Sequence, residues 1–191
     1  DPEARIILAI GHYGNFELFS WIHLGAPTAQ PATTYRALRQ PRLTELMLQL
    51  RKASGCLYFE RRTEGEQLKA AMKTPRIVLG LLADQNAGDH GLWLPVFGRE
   101  TSVSPAPAVF AQRYKCHIFP SACFRTAPGR WRIELGDEIP TRTEGKRRST
   151  KAITQDIIAA QEETIRRDPA NWFWVHNRWK PKQKPSKLRT N

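Results

Sequence analysis

His12 and Glu17 stand five positions apart in the stretch Gly11-His12-Tyr13-Gly14-Asn15-Phe16-Glu17. An imidazole beside a carboxylate can act as a general base. The carboxylate accepts one ring N–H, fixes the tautomer and raises the basicity of the other nitrogen. The group such a base suits is a hydroxyl. On a continuous helix this spacing turns the two side chains roughly 140° apart, at about 100° per residue. They can meet only if His12 lies in a loop and Glu17 on the first turn of a helix. Gly11 and Gly14 supply backbone freedom for that loop, and Asn15 occupies an N-cap position. A lone histidine beside a strand is more often a satisfied core or loop residue, so the rest of the chain must carry the catalytic reading.

The elements around the stretch fit it. Ile6-Ile7-Leu8-Ala9-Ile10 is a buried-strand run within an expected strand at 5–11, and a first helix is expected at 15–24. His12 then falls at the end of a strand, where open α/β sheets bind ligands. Further along, residues 27–34 are expected as a strand that Pro31 makes irregular or an edge. A helix from Pro41 to Ser54 places Leu43, Leu46, Met47 and Leu50 on one apolar face, and Gly55 ends it. Strands are expected at Cys56–Phe59, Ile77–Ala83, Cys116–Phe124 (interrupted by Pro120) and Trp131–Leu135. Helices are expected at 65–73, 104–114 and 149–167. Alternating strands and helices predict one α/β domain, a sandwich of a mixed, mostly parallel sheet flanked by helices, over residues 1–181. A basic tail at 182–191 is expected to be disordered. Several predicted strand ends carry polar groups: His12, Arg36, Arg61 and Asp84.

The 191 residues carry a net charge of +12 and a pI near 10.1. Such a surface prefers polyanions: nucleic acid, anionic headgroups, phosphorylated glycolipids or acidic carrier proteins. A nucleic-acid-binding module is the reading from a different class. The chain has no zinc, helix-turn-helix or RNP-like signature, and its basic residues are spread out, so no nucleic-acid partner is expected. Cys56, Cys116 and Cys123 are too few and too scattered for a disulfide framework or a zinc site, and the five histidines are widely separated. Neither metal nor organic cofactor is expected. No apolar run approaches the length of a membrane span. The chain starts almost inside its first strand, so a preceding segment holding a membrane anchor is expected.

The motifs, in their order and spacing, resemble the lipid A biosynthesis acyltransferases, the lauroyl/myristoyl transferases within the glycerolipid acyltransferase superfamily. His12 and Glu17 are similar to the superfamily's His-x4-Asp/Glu motif. Tyr35-Arg36 is similar to its Tyr-Arg, with Ala37 where proline is frequent. Gly55-Cys56-Leu57-Tyr58-Phe59-Glu60-Arg61 resembles its Gly-x-x-Phe-x-x-Arg block, and Asp84-Gln85 its Asp-Gln. Leu94–Gly98, Ile118-Phe119-Pro120 and the terminal Trp174-Val175-His176-Asn177-Arg178-Trp179-Lys180 resemble later blocks. Asn86-Ala87-Gly88 departs from the family's usual Asp-Tyr-Gly run.

The resemblance implies a glycerolipid-acyltransferase-like fold and transfer of an acyl chain from a thioester to a hydroxyl of a lipid A precursor, in lipopolysaccharide biosynthesis. The donor would be acyl carrier protein or acyl-CoA and the acceptor a glycolipid. The work would be done on an anionic membrane surface, at the cytoplasmic face of the bacterial inner membrane. A lysophospholipid or a phosphatidylinositol mannoside is the alternative acceptor. His12 is the expected base and Glu17 its orienting carboxylate. Arg36 and Arg61 are expected anchors for phosphate, whose geometry suits guanidinium forks, with Arg51 a further candidate. Asp84 is expected to hold Arg61 or a backbone turn, and Gln85 joins the substrate-binding set through the Asp-Gln block. Trp174 is expected to pack inside while the basic residues from Arg178 onward face lipid.

Overall fold

A computed structural model describes residues 3–181. The tail predicted at 182–191 lies outside the described residues.

The parallel strands begin with β1 (Ile6–Ile10), whose residues 7–10 are all buried. A 3-10 helix over Phe16–Leu24 follows. Next come β2 (Gln30–Tyr35), α1 (Pro41–Lys52), β3 (Leu57–Glu60), α2 (Gly65–Ala71) and β4 (Ile77–Leu82). A short hairpin, β5 (Leu92–Val96) and β6 (Arg99–Val103), leads to α3 (Ala106–Tyr114). Then follow β7 (His117–Ala127), β8 (Arg130–Leu135), the two-residue strands β9 (Arg142–Thr143) and β10 (Lys146–Arg147), and α4 (Thr150–Arg167). The main sheet runs β3-β2-β4-β1-β7-β8, parallel throughout except for the antiparallel β7–β8 pair at one edge. This is the expected α/β sandwich.

Alternation along the strands sorts side chains to two faces. Ile7, Ala9, Ile77, Leu79 and Ile118 point to the face covered by α2, α3 and α4, where Leu68, Met72, Ala108, Ala111, Ile153 and Ile157 complete the larger core. Leu8, Ile10, Val78 and Cys123 point to the opposite face, which carries the 3-10 helix through Phe16, Phe19 and Ile22. Those three lie at i, i+3 and i+6, the spacing that eclipses in a 3-10 helix. Ser149 caps α4, its side chain accepting from the Ala152 N–H.

Four local expectations change. The first helix is 3-10 rather than α, and Asn15 at its cap position makes no side-chain capping bond. Pro31 lies inside the sheet. β2 pairs with β4 from Gln30 but with β3 only from Ala32, so the proline precedes one of its two ladders and costs little. Pro120 does not interrupt β7, which runs through it beside Ala9. In α1, the side leaning on the protein is Thr44, Leu48 and Arg51, while Leu43, Leu46, Met47 and Leu50 are exposed. The apolar period marks a helix correctly, but its apolar face is turned outward.

Candidate active site

Four parallel strands deliver polar residues to one rim, the C-terminal end of the sheet. β1 delivers His12, β2 Arg36, β3 Arg61, and β4 Asp84 and Gln85. Gly14 makes the turn after β1 possible. Its φ is +56°, and a Cβ there would overlap the Cys123 carbonyl oxygen. Gly11 is under no such demand, since a Cβ there would make only ordinary contact with Oδ2 of Asp84, at 3.4 Å.

His12 is held by Asp84, not Glu17. Nδ1 of His12 lies 2.7 Å from Oδ1 of Asp84, and the His12 backbone N–H donates to Oδ2 at 2.8 Å. The Trp172 indole N–H donates to the same Oδ2 at 2.9 Å. Burial pushes the Asp84 carboxyl up. The hydrogen bond and charge of His12, the Trp172 indole and the His12 backbone N–H outweigh it, so the carboxyl ends below its ordinary value. An ionised carboxylate only accepts hydrogen bonds, so Nδ1 carries the hydrogen and Nε2 keeps its lone pair. The Gln85 amide nitrogen is 3.5 Å from that Nε2. Asp84 therefore holds His12, rather than Arg61 or a bare turn.

The C-terminal segment locks this arrangement. Phe173 N–H donates to the His12 carbonyl at 3.0 Å, Gly14 N–H to the Asn171 carbonyl at 2.9 Å, and Tyr13 bridges Trp172. Trp172 is buried, whereas Trp174, expected inside, is 52% exposed. Arg178, expected to face lipid, is 3% exposed and donates to Thr101 Oγ1 and to the Ser102 carbonyl. Burial lowers its pKa to about 10. His176 accepts from the Asn86 backbone N–H through Nε2 at 3.0 Å. Burial and the neighbouring Lys180 and Arg178 charges lower its pKa and keep it neutral.

Glu17 instead pairs with Arg51 through both carboxylate oxygens, one at 3.1 Å from Nε. The 3-10 spacing explains the separation, since Glu17 and Ser20 share a ridge that borders the cleft away from Asp84. Arg36 and Arg61 are exposed at the rim, and among the described residues neither is in an ion pair. Glu60 sets their turns. Its carboxylate accepts from the backbone N–H groups of Ala37 (3.3 Å), Arg62 (2.6 Å) and Thr63 (3.0 Å), tying the end of β2 to the end of β3. Those donors, Arg62 first, hold its carboxyl below the usual range.

The expected residues His12, Glu17, Arg36, Arg51, Arg61 and Gln85 line one cleft of about 1240 Å³. Asp84 lies behind His12, outside that lining. The cleft continues from the polar rim down the sheet face over Leu8, Ile10, Val78 and Gly80, with Phe16 and Phe19 alongside. A Cβ on Gly80 would meet Ile10 Cδ1 at 2.8 Å, so the glycine keeps this floor low. Cys56 also lines the cleft, but burial pushes its thiol up to about 12, leaving it protonated and a poor nucleophile.

An imidazole with its Nε2 on the cleft, exposed guanidinium groups at a rim and an apolar trough below suit a molecule with an anionic head and a hydrocarbon chain. Comparison with known families agrees: residues 1–181 match the bacterial lipid A biosynthesis acyltransferases. The chain belongs to that family. No curated protein matches it. As a lipid A biosynthesis acyltransferase the protein is an enzyme that moves an acyl group from a donor to a lipid acceptor. Among its described residues no helix is long and apolar enough to cross a membrane.

Sequence reasoning missed Trp172 and Glu60 as positioning groups. Trp172 was visible only as part of an aromatic run. Glu60 was visible only as a charge in a turn, although a carboxylate directly after a strand and before Arg61-Arg62-Thr63 is a signal for a turn-capping acceptor.

Proposed function

We propose that His12, oriented by Asp84, is the general base for transfer of a fatty acyl chain from a thioester to a hydroxyl of a phosphorylated lipid A precursor, at the cytoplasmic face of the bacterial inner membrane. The observation that carries the reading is the Nδ1–Asp84 bond, which leaves the Nε2 lone pair beside the cleft. Nε2 takes the hydroxyl proton as the acceptor oxygen attacks the thioester carbonyl. Charge builds on the carbonyl oxygen, and the Gln85 amide, 3.5 Å from Nε2, is the side chain we assign to donate to it once substrate displaces the amide from that nitrogen. Collapse of the tetrahedral intermediate breaks the carbon–sulfur bond. The thiolate recovers the proton from His12, and the ester is left on the acceptor.

Arg36 and Arg61 anchor phosphate on the acceptor or on the donor's phosphopantetheine arm. The donor is acyl carrier protein or acyl-CoA. The trough over Gly80 takes hydrocarbon, whose removal from water contributes about 0.8 kcal/mol per methylene. Glu17 acts through Arg51, holding it against the cleft wall rather than touching His12. The test is mass spectrometry of a phosphorylated lipid A precursor incubated with acyl donor and protein. A mass increase of one acyl chain supports the reading. An acyl chain added only to a lysophospholipid or a phosphatidylinositol mannoside reassigns the acceptor.

A further inference from the structure

Helix α1 carries its apolar stripe on the outside. Leu43, Leu46, Met47 and Leu50 are 46%, 51%, 37% and 72% exposed, and none of the helix's residues is buried. At about 100° per residue the four span an arc of roughly 100°, with Arg42 at one edge and Arg51 at the other. Leu38, just ahead of the helix, is also exposed. From Arg36 to Ala53 the chain holds five cations (Arg36, Arg39, Arg42, Arg51 and Lys52) and one acid, Glu45. The stripe adjoins the cleft, since Met47 and Arg51 line it.

We infer that the outer face of α1 is the surface by which this enzyme docks on an anionic lipid bilayer. Aliphatic side chains on one arc of a helix, with the exposed Arg42 at its free edge and the exposed Arg39 just ahead, are the pattern that lies in the plane of an interface, with leucines below the headgroups and those two guanidiniums among them. The local excess of positive charge complements anionic lipid. Position supports the same occupant. A helix seated at that depth brings the neighbouring cleft to the height of the headgroups, so a lipid substrate can enter without its chains crossing water. An acidic carrier protein would match the cations and could cover the leucines as well, but the place of the stripe beside the mouth of a cleft for a lipid favours the bilayer. The docking element assigned is α1; in the C-terminal segment Trp172 and Arg178 are buried, while Phe173, Trp174 and Val175 are exposed.

The inference takes its choice of a lipid surface from the proposed function, but its test measures binding alone. The 191-residue chain and the variant L43Q/L46Q/L50Q are co-sedimented with vesicles of phosphatidylcholine containing phosphatidylglycerol, with the single variant L46Q as a milder second probe. The native chain should pellet with these vesicles. The triple variant's partition should fall at least tenfold and that of L46Q in the same direction, with circular dichroism unchanged. Unaltered binding by both variants, or no binding by the native chain, overturns the inference. So does a native dimer that the variants dissociate without change in vesicle binding, which would give the face to a second copy. Loss of binding to an acidic carrier protein alone also overturns it. No acyl transfer is measured, so a failed transfer assay and a failed docking assay remain separate results.

Discussion

Asp84 grips His12 twice, through the ring at 2.7 Å and through the backbone N–H at 2.8 Å, from 72 residues away in the chain. One carboxylate therefore fixes both the tautomer of the imidazole and the path of the loop that carries it. Because Asp84 lies two residues beyond β4, the strand beside β1, the geometry is inherited from the sheet rather than built by a flexible loop.

Replacing His12 by Ala should lower acyl transfer by about 10²–10⁴-fold, the usual worth of a general base. Asp84→Asn should follow it, with a loss on the order of 10²-fold, because the amide can present an N–H to Nδ1 and favour the wrong tautomer. The double variant should be little worse than His12→Ala alone. Steady-state kinetics on the three proteins check this, and additive losses would show that the two residues act separately.

Glu17→Gln should behave differently. It breaks the bond to Arg51 and leaves the His12–Asp84 bond intact. The expected effect is on KM, matched by Arg51→Ala and not additive with it. Stability should change by about 1 kcal/mol or less, as for a partly exposed ion pair. A pH–rate profile shifted in Glu17→Gln as in Asp84→Asn would place Glu17 with the base instead.

Trp172→Phe keeps the ring and removes the N–H given to Asp84 Oδ2. Leaving that buried acceptor short of a donor costs about 1–3 kcal/mol. We expect kcat to fall about tenfold or more with KM unchanged, since 1.36 kcal/mol is tenfold in rate. The pH at which Asp84 titrates, read from the acid side of the stability profile, should also move up, because one of the groups holding it ionised is gone. A purely structural tryptophan would lower the melting temperature without moving that titration.

The lowered pKa of Asp84 has a stability consequence of definite sign. A carboxyl whose folded value lies below its ordinary 3.8 adds stability at pH values above that number. The contribution is lost as pH falls through the folded value. The difference in urea midpoint between the native protein and Asp84→Asn should therefore be full at neutral pH and shrink below 3.8. A difference that grows on acidification would contradict the ionised state.

What could be read from the sequence follows from the range of each interaction. β1 and β4 were legible because a parallel strand buried on both faces is a continuous apolar run, as in Ile6–Ile10. His12 was legible because it stands one glycine beyond such a run. Its partner was not. Glu17 is near in sequence but set aside by the 3-10 turn, whereas Asp84 is brought close only by the pairing of β1 with β4. For α1 the period was legible and the direction was not, since periodicity says which residues share a face but not what covers it. Trp172 and Trp174 differ in burial although two positions apart, because the chain turns between them, the Trp174 N–H donating to the Trp172 carbonyl at 2.9 Å, so the pair does not share a face as it would in a strand.

The measurement that bears most directly on His12 as base is mass spectrometry of a phosphorylated lipid A precursor after incubation with an acyl thioester and either the native protein or His12→Ala. The account predicts one added acyl chain with the native protein and a yield lower by about 10²-fold or more with the variant, whose circular dichroism matches the native spectrum. Equal acylation by a correctly folded His12→Ala protein would contradict it.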